Sequence, residues 1–152
     1  MKNCYFFDTS ALVKLYVEEP GSARLLELTE DPETYDAAVV EIARLEFRSA
    51  VRRREREGTV ASVVVDEILT QLDSDLQAHF LVQPISSSLL ASGVALIDRH
   101  HLRAYDALQL AGCLSLTRSV PDWKRAQFIT SDKSLLQAAR DEGLMAIDPT
   151  TD

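Results

Sequence analysis

Short apolar runs alternate with stretches of helical period along the whole chain. The run "CYFF" (Cys4–Phe7) reads as a buried strand, because aromatic residues suit a covered, pleated surface. A short helix follows over Ser10–Tyr16. After the break "EEPGS", a second helix covers Ser22–Glu30, with Ser22 as its N-cap. "TYDAAVV" (Thr34–Val40) is a weaker strand. A long helix over about Glu41–Glu57 stops at Gly58, and another runs from near Thr59 to about Ala78. "FLVQPI" (Phe80–Ile85) is a short strand that Pro84 ends. Two helices follow, over Ser86–His101 and Ala104–Leu116. "AQFIT" (Ala126–Thr130) is a strand, Lys133–Gly143 a helix closed by its glycine, and "LMAI" (Leu144–Ile147) a last strand.

Strands separated by helices pair in parallel and are covered on both faces. The pattern therefore predicts a three-layer α/β domain spanning 1–152. Such sheets bind ligands at the carboxyl ends of their strands, near the point where strand order reverses. No apolar run approaches the length of a membrane helix, and the N-terminus "MKNCYFF" lacks the features of a signal peptide. Cys4 and Cys113 have neither disulfide-framework nor zinc spacing and read as buried thiols. A cytoplasmic protein is expected. The net charge of −8 argues against broad, non-specific nucleic-acid binding. The exception is local: six arginines fall between Arg44 and Arg56.

Two aspartates stand where an apolar strand gives way to a helix: Asp8 after "YFF" and Asp132 in "FITSDKSLL". Helix capping explains either one alone. Two further acids are harder to explain that way. Glu46 lies in line with Ile42 and Ala50, and Asp106 in line with Leu102 and Leu110, each at helical spacing. A carboxylate in an apolar stripe needs a partner, unless Asp106 caps a helix that starts later. Four carboxylates in one cleft would repel unless a divalent cation neutralised them. An all-oxygen set suits Mg²⁺ or Mn²⁺ rather than zinc, and Mg²⁺ keeps waters that can act as nucleophile.

These segments carry a resemblance. "FFDTSALVKLYVEEPGS", "ARLEFRSAVRRR", "AYDALQLA" and "FITSDKSLLQAA" resemble, in order, the successive motifs of the PIN-domain family, closest to the VapC-type toxins of toxin–antitoxin pairs. The resemblance implies a three-layer α/β/α fold with a central parallel sheet of order 3-2-1-4-5. It implies Asp8, Glu46, Asp106 and Asp132 as the acids around a Mg²⁺ or Mn²⁺ site. It further implies cleavage of RNA, a cognate VapB-like antitoxin and a homodimer. The segment "SLTRSVPDWKRAQFIT" is longer than the family's usual connection, and Pro121 and Trp123 are expected to form a surface excursion there.

Within this reading, Thr9 and Ser10 are placed to orient neighbouring carboxylates, although Ser10 is equally a helix-start hydroxyl. Glu41 is the competitor of Glu46; the apolar stripe and the family motif favour Glu46. His100 and His101 point to different helix faces and more naturally end a helix than bind metal. The stripe Arg44, Arg48 and Arg52 is either a solvated face paired with nearby acids or an RNA-phosphate contact surface. The expected function is a Mg²⁺-dependent endoribonuclease, as a toxin or a solitary family member. The different-class alternative is an RNA- or protein-binding module without catalysis. A phosphotransferase using Asp8 as nucleophile is weaker, since "DTS" lacks the second aspartate that chemistry needs.

Overall fold

The computed structural model describes residues 1–152. Its five strands are β1 (Asn3–Phe7), β2 (Tyr35–Val40), β3 (Phe80–Gln83), β4 (Gln127–Ile129) and β5 (Met145–Ile147). They form one sheet of order β3-β2-β1-β4-β5. Every neighbouring pair is parallel, as the resemblance implies. Parallel neighbours cannot be joined by a tight turn, so the connections carry helices. These are α1 (Thr9–Lys14), α2 (Ser22–Leu28), α3 (Ile42–Arg56), α4 (Ser62–Ala78), α5 (Ser87–Arg99), α6 (Ala104–Ser119) and α7 (Lys133–Asp141).

β1 runs down the middle of the sheet, and successive side chains feed opposite faces. Cys4 and Phe6 enter one core with Phe128, Leu96 and Leu110. Tyr5 and Phe7 enter the other with Leu12, Phe47 and Leu69. Phe6 stacks on Phe128 with ring centroids 5.9 Å apart, and Phe7 meets Phe80 edge-on at 6.1 Å. Phe6, Phe7 and Phe128 are fully buried, and each such ring contributes about 1.5–3 kcal/mol by leaving water. β1 is thus held from both sides, and whatever follows Phe7 inherits a fixed position.

α6 approaches the sheet most closely through Gly112. A Cβ there would meet Gln83 Oε1 at 2.8 Å and Phe6 Cζ at 3.0 Å, with Val40 nearer still. Only glycine permits this approach. The tight seat holds the middle of α6 close against β1, β2 and β3.

Three local expectations are corrected. Gly21, with φ 95°, is the N-cap of α2 instead of Ser22. Ser22 turns inward, donating to the Val17 carbonyl at 3.0 Å and accepting from the Glu19 N–H at 3.0 Å. α4 begins at Ser62, because Gly58 (φ 78°) reverses the chain and the Thr59 hydroxyl closes back onto the Arg54 carbonyl at 3.1 Å. The stretch before β4 is no surface excursion. α6 continues to Ser119, Pro121–Trp123 form one 3₁₀ turn, and Trp123 is buried in the core beside α6. An indole has too much apolar surface to leave outside when a core face is adjacent. Cys4 and Cys113 are free and buried. No helix is long and apolar enough to cross a membrane.

Candidate active site

Asp8 leaves the end of β1 and does cap α1, with its Oδ1 accepting from the Ala11 N–H at 2.8 Å. A cap needs one acceptor, and Asp8 receives more. The Ser10 hydroxyl donates to it at 2.7 Å, and the Thr130 hydroxyl donates to Oδ2. The side chain is buried, and no basic group pairs with it. Burial pushes its carboxyl up to about 7, against the pull of the Thr130, Ala11 and Ser10 hydrogen bonds; the charge of Asp106 adds to the rise.

Asp132 stands in the matching place after β4 and caps α7, accepting from the Leu135 N–H at 2.9 Å through Oδ1. Its other oxygen is left for the cleft. Thr130 joins the two aspartates: its hydroxyl donates to Asp8 and accepts from the Asp132 N–H at 3.1 Å. Ser10 ties the same junction by accepting from the Ser131 N–H at 3.1 Å. Both loops therefore leave adjacent parallel strands as one braced unit, at the reversal of strand order between β1 and β4.

Glu46 reaches this point from α3. Its Oε1 accepts from the Thr9 hydroxyl at 3.0 Å and from the Gln109 amide. Gln109 Oε1 in turn accepts from the Thr9 N–H at 2.9 Å. One amide from α6 thereby fixes the α1 start and the α3 carboxylate together. Burial raises the Glu46 pKa, offset in part by the Thr9 and Gln109 bonds, while Asp106 raises it further. Asp106 lies inside the first turn of α6, whose N-cap is Arg103, so it is not a helix cap. It accepts from Arg103 Nε at 3.2 Å. Burial raises its pKa, Arg103 pulls it down and Asp132 raises it. Four acids from four elements thus share one electrostatic field.

Gln109, Thr130 and Arg103 escaped the sequence reading. Gln109 did leave a signal, as a polar residue inside the apolar run "ALQLAGCL" that is now fully enclosed. A buried amide that is fully bonded specifies position.

The arginines divide differently from the expected stripe. Arg44 and Arg48 line a separate groove with Glu41, Leu45 and Asp73. Arg52 pairs with Glu55 at 3.1 Å and Asp66 at 3.2 Å. The cleft beside the acids, about 740 Å³, is lined instead by Lys14, Arg53, Arg54 and Arg103 with Glu46 and Asp106. The spacing Glu46, Ala50, Arg53, Arg54 is the helical face that carries it. Lys14 and Arg54 are both held by Glu19, at 3.0 and 3.1 Å. Glu41 is elsewhere, accepting from the Ile85 N–H at 2.9 Å. His100 ends α5 and faces Glu142 at 3.1 Å, away from the acids.

No three acidic, histidine or cysteine side chains stand together as a ready-made metal cage. The chemistry of the donor set nonetheless fits a hard divalent cation. All four side chains offer oxygen, and burial disfavours the charged forms of Asp8, Glu46 and Asp106, an effect a dication reverses. Asp106 and Asp132 already turn oxygens toward one cation, the Arg103 guanidinium.

The family model of the PIN domain matches residues 5–141. Two solved structures share the fold. One is VapBC2 from Rickettsia felis bound to a DNA fragment from their promoter: 15% identity, TM-score 0.61, covering 95% of this chain and 97% of that one. The other is FitAcB from Neisseria gonorrhoeae: 14% identity, TM-score 0.56, covering 97% and 99%. No curated protein matches the chain.

Proposed function

Because the chain belongs to the PIN-domain family, we propose that it is a metal-dependent endoribonuclease and the toxin of a toxin–antitoxin pair. In this reading Asp8, Glu46, Asp106 and Asp132 are the residues that would hold Mg²⁺ or Mn²⁺. The observation that carries it is a charge imbalance around Asp106: its charge acts on Asp8 and Glu46 and feels that of Asp132, three of these four acids have raised pKa values, and a single guanidinium pairs with any of them. Such an arrangement is unfavourable for stability alone and marks a site of function.

A divalent cation bound there would supply charge to the scissile phosphate and make a water more acidic. The protein's own part is alignment. Ser10, Thr130 and the Ala11 N–H lock both oxygens of Asp8. Thr9 and Gln109 aim Glu46. The α7 cap occupies one oxygen of Asp132 and leaves the other facing inward. These supports remove the rotational freedom that would otherwise be lost during reaction.

A polyanion approaching a chain of net charge −8 needs local positive surface. Arg53 supplies it on the cleft wall that leads to Glu46, beside Arg54, which shares Glu19 with the buried Lys14. Arg44 and Arg48 offer a second basic edge on the neighbouring groove. An antitoxin partner is supported by the naming of the VapBC2 relative as a complex. A homodimer is supported by α5, which exposes Leu90, Val94 and Ile97 at helical spacing, a stripe that a second copy would cover. The protein would act in the cytoplasm.

The test is cleavage of total RNA by the purified protein with Mg²⁺, with EDTA, and with Asp106→Asn in parallel. Cleavage only by wild type with Mg²⁺ is the expected result. Metal-supported RNA binding without any cleavage would favour the non-catalytic alternative.

A further inference from the structure

We propose that Arg103 is a built-in counter-cation of the acidic cleft, and that its release from Asp106 and Asp132 sets how tightly the divalent cation binds. The inference rests on the metal reading above and adds a residue that governs it.

Arg103 Nε lies 3.2 Å from Asp106 Oδ2, and an Nη2 lies 3.7 Å from Asp132 Oδ2. The guanidinium also feels the charge of Glu46. One side chain therefore balances three of the four acids. Of the other basic groups of the cleft, Lys14 and Arg54 are tied to Glu19, and Arg53 makes no ion pair with any of the four acids.

Two features make the arrangement displaceable. The Arg103 side chain is 81% exposed, so nothing but the acids holds it. Its backbone is fixed separately, as the N-cap whose carbonyl accepts from the Ala107 N–H at 3.0 Å. The side chain can leave while helix α6 stays. Arginine keeps its charge at all physiological pH, so it competes as a cation under every working condition. A dication and a guanidinium cannot both sit against the same carboxylate oxygens without strong repulsion. Binding of the metal must therefore displace Arg103, and the free energy of the ion pairs is subtracted from metal affinity. Exposed pairs of this kind are weak, so the subtraction is modest and the site remains competent.

Manganese titration by calorimetry, on wild type, Arg103→Ala and Arg103→Gln at constant ionic strength, tests this. Arg103→Ala should bind Mn²⁺ roughly 3–10-fold more tightly, the scale of one or two exposed charge pairs. Its Tm without metal should fall, and Mn²⁺ should raise that Tm by more than it raises the wild type's. Arg103→Gln keeps hydrogen-bond donors but no charge, and should follow Arg103→Ala. Mn²⁺ binding by wild type with equal or weaker affinity in Arg103→Ala would overturn the proposal and leave the metal reading standing. An Arg103→Gln protein indistinguishable from wild type would also overturn it, by assigning the effect to hydrogen bonding. Absence of Mn²⁺ binding in all three proteins would overturn both the proposal and the metal reading.

Discussion

Glu142 and the acidic cleft use the same chemistry with opposite balance. Glu142 is one carboxylate between two basic side chains, with Arg99 Nη2 at 2.6 Å and His100 Nε2 at 3.1 Å. The Arg99 hydrogen bond holds its pKa below the usual range. It clasps the end of α5 to the end of α7 and asks for nothing more. Around the cleft, one guanidinium pairs with Asp106 and Asp132, and burial drives the pKa values of Asp8, Glu46 and Asp106 upward. An acid that lowers its own pKa by pairing is structural. Acids that stay near one another with raised pKa values are held there by the fold at a cost, which marks them as a candidate site of function.

The comparison breaks most visibly in activity. Asp106→Asn and Glu46→Gln should each lose cleavage by at least about a thousandfold, a barrier increase of about 4 kcal/mol. Glu142→Gln and Glu41→Gln should cleave like wild type in the same assay. If Glu41→Gln is the inactive variant and Glu46→Gln is active, the assignment of the α3 carboxylate is wrong.

Next in size is the pH dependence of stability without metal. Asp8 has a folded pKa of about 7, above its unfolded value near 3.8. Its contribution is therefore fully present below about pH 4 and is lost as pH rises through about 7. Glu46 and Asp106 act in the same direction. Denaturant unfolding in EDTA should show stability falling over that window, by about 4 kcal/mol for Asp8 alone. Asp8→Asn should remove most of the fall and be more stable than wild type at pH 7.5. An Asp8→Asn protein that loses stability at every pH would mean that the cap is the whole role of Asp8.

A smaller effect separates the two arginine sets. Arg53→Ala should weaken RNA binding in EDTA by roughly tenfold and lower the log–log salt slope by about 0.7, the value for one single-strand phosphate contact. Arg44→Ala and Arg48→Ala should change either quantity less. The reverse ranking, read by fluorescence anisotropy over a salt series, would move the RNA path to the neighbouring groove.

The smallest effect belongs to the clasp. Glu142 contributes stability above its ordinary pKa and loses it as pH falls, the opposite sign to Asp8. The pairs are near the surface, so Glu142→Gln should cost less than about 1 kcal/mol at pH 7. A larger loss would show that α5 and α7 depend on it.

The parallel α/β architecture was legible in the alternation of apolar runs with helical periods, and the four acids stood out as exceptions to that pattern. An aromatic run ending in aspartate, and carboxylates at helical spacing among apolar residues, leave few arrangements in a parallel α/β fold. Family resemblance supplied the strand order. What escaped depended on through-space placement. Arg103 reads as an ordinary surface arginine until the α6 start is set against β4, when it meets Asp132. Trp123 follows a proline and a polar stretch, and only the path of α6 shows that it turns inward. Gly21 caps α2 through a backbone angle that the serine beside it disguises. Arg53 and Arg54 were within reach, since they continue the face of Glu46 and Ala50, but a stripe counted from Arg44 hides that face.

The central claim is that the external cation goes to the unbalanced acids. Crystals soaked in Mn²⁺ and measured at its absorption edge test it most directly. The account predicts an anomalous peak in the cleft, contacted by carboxylate oxygens from among Asp8, Glu46, Asp106 and Asp132, with the Arg103 side chain moved away. A cleft without a peak at saturating Mn²⁺, or a peak at another acid group with Arg103 still on Asp106, would contradict it.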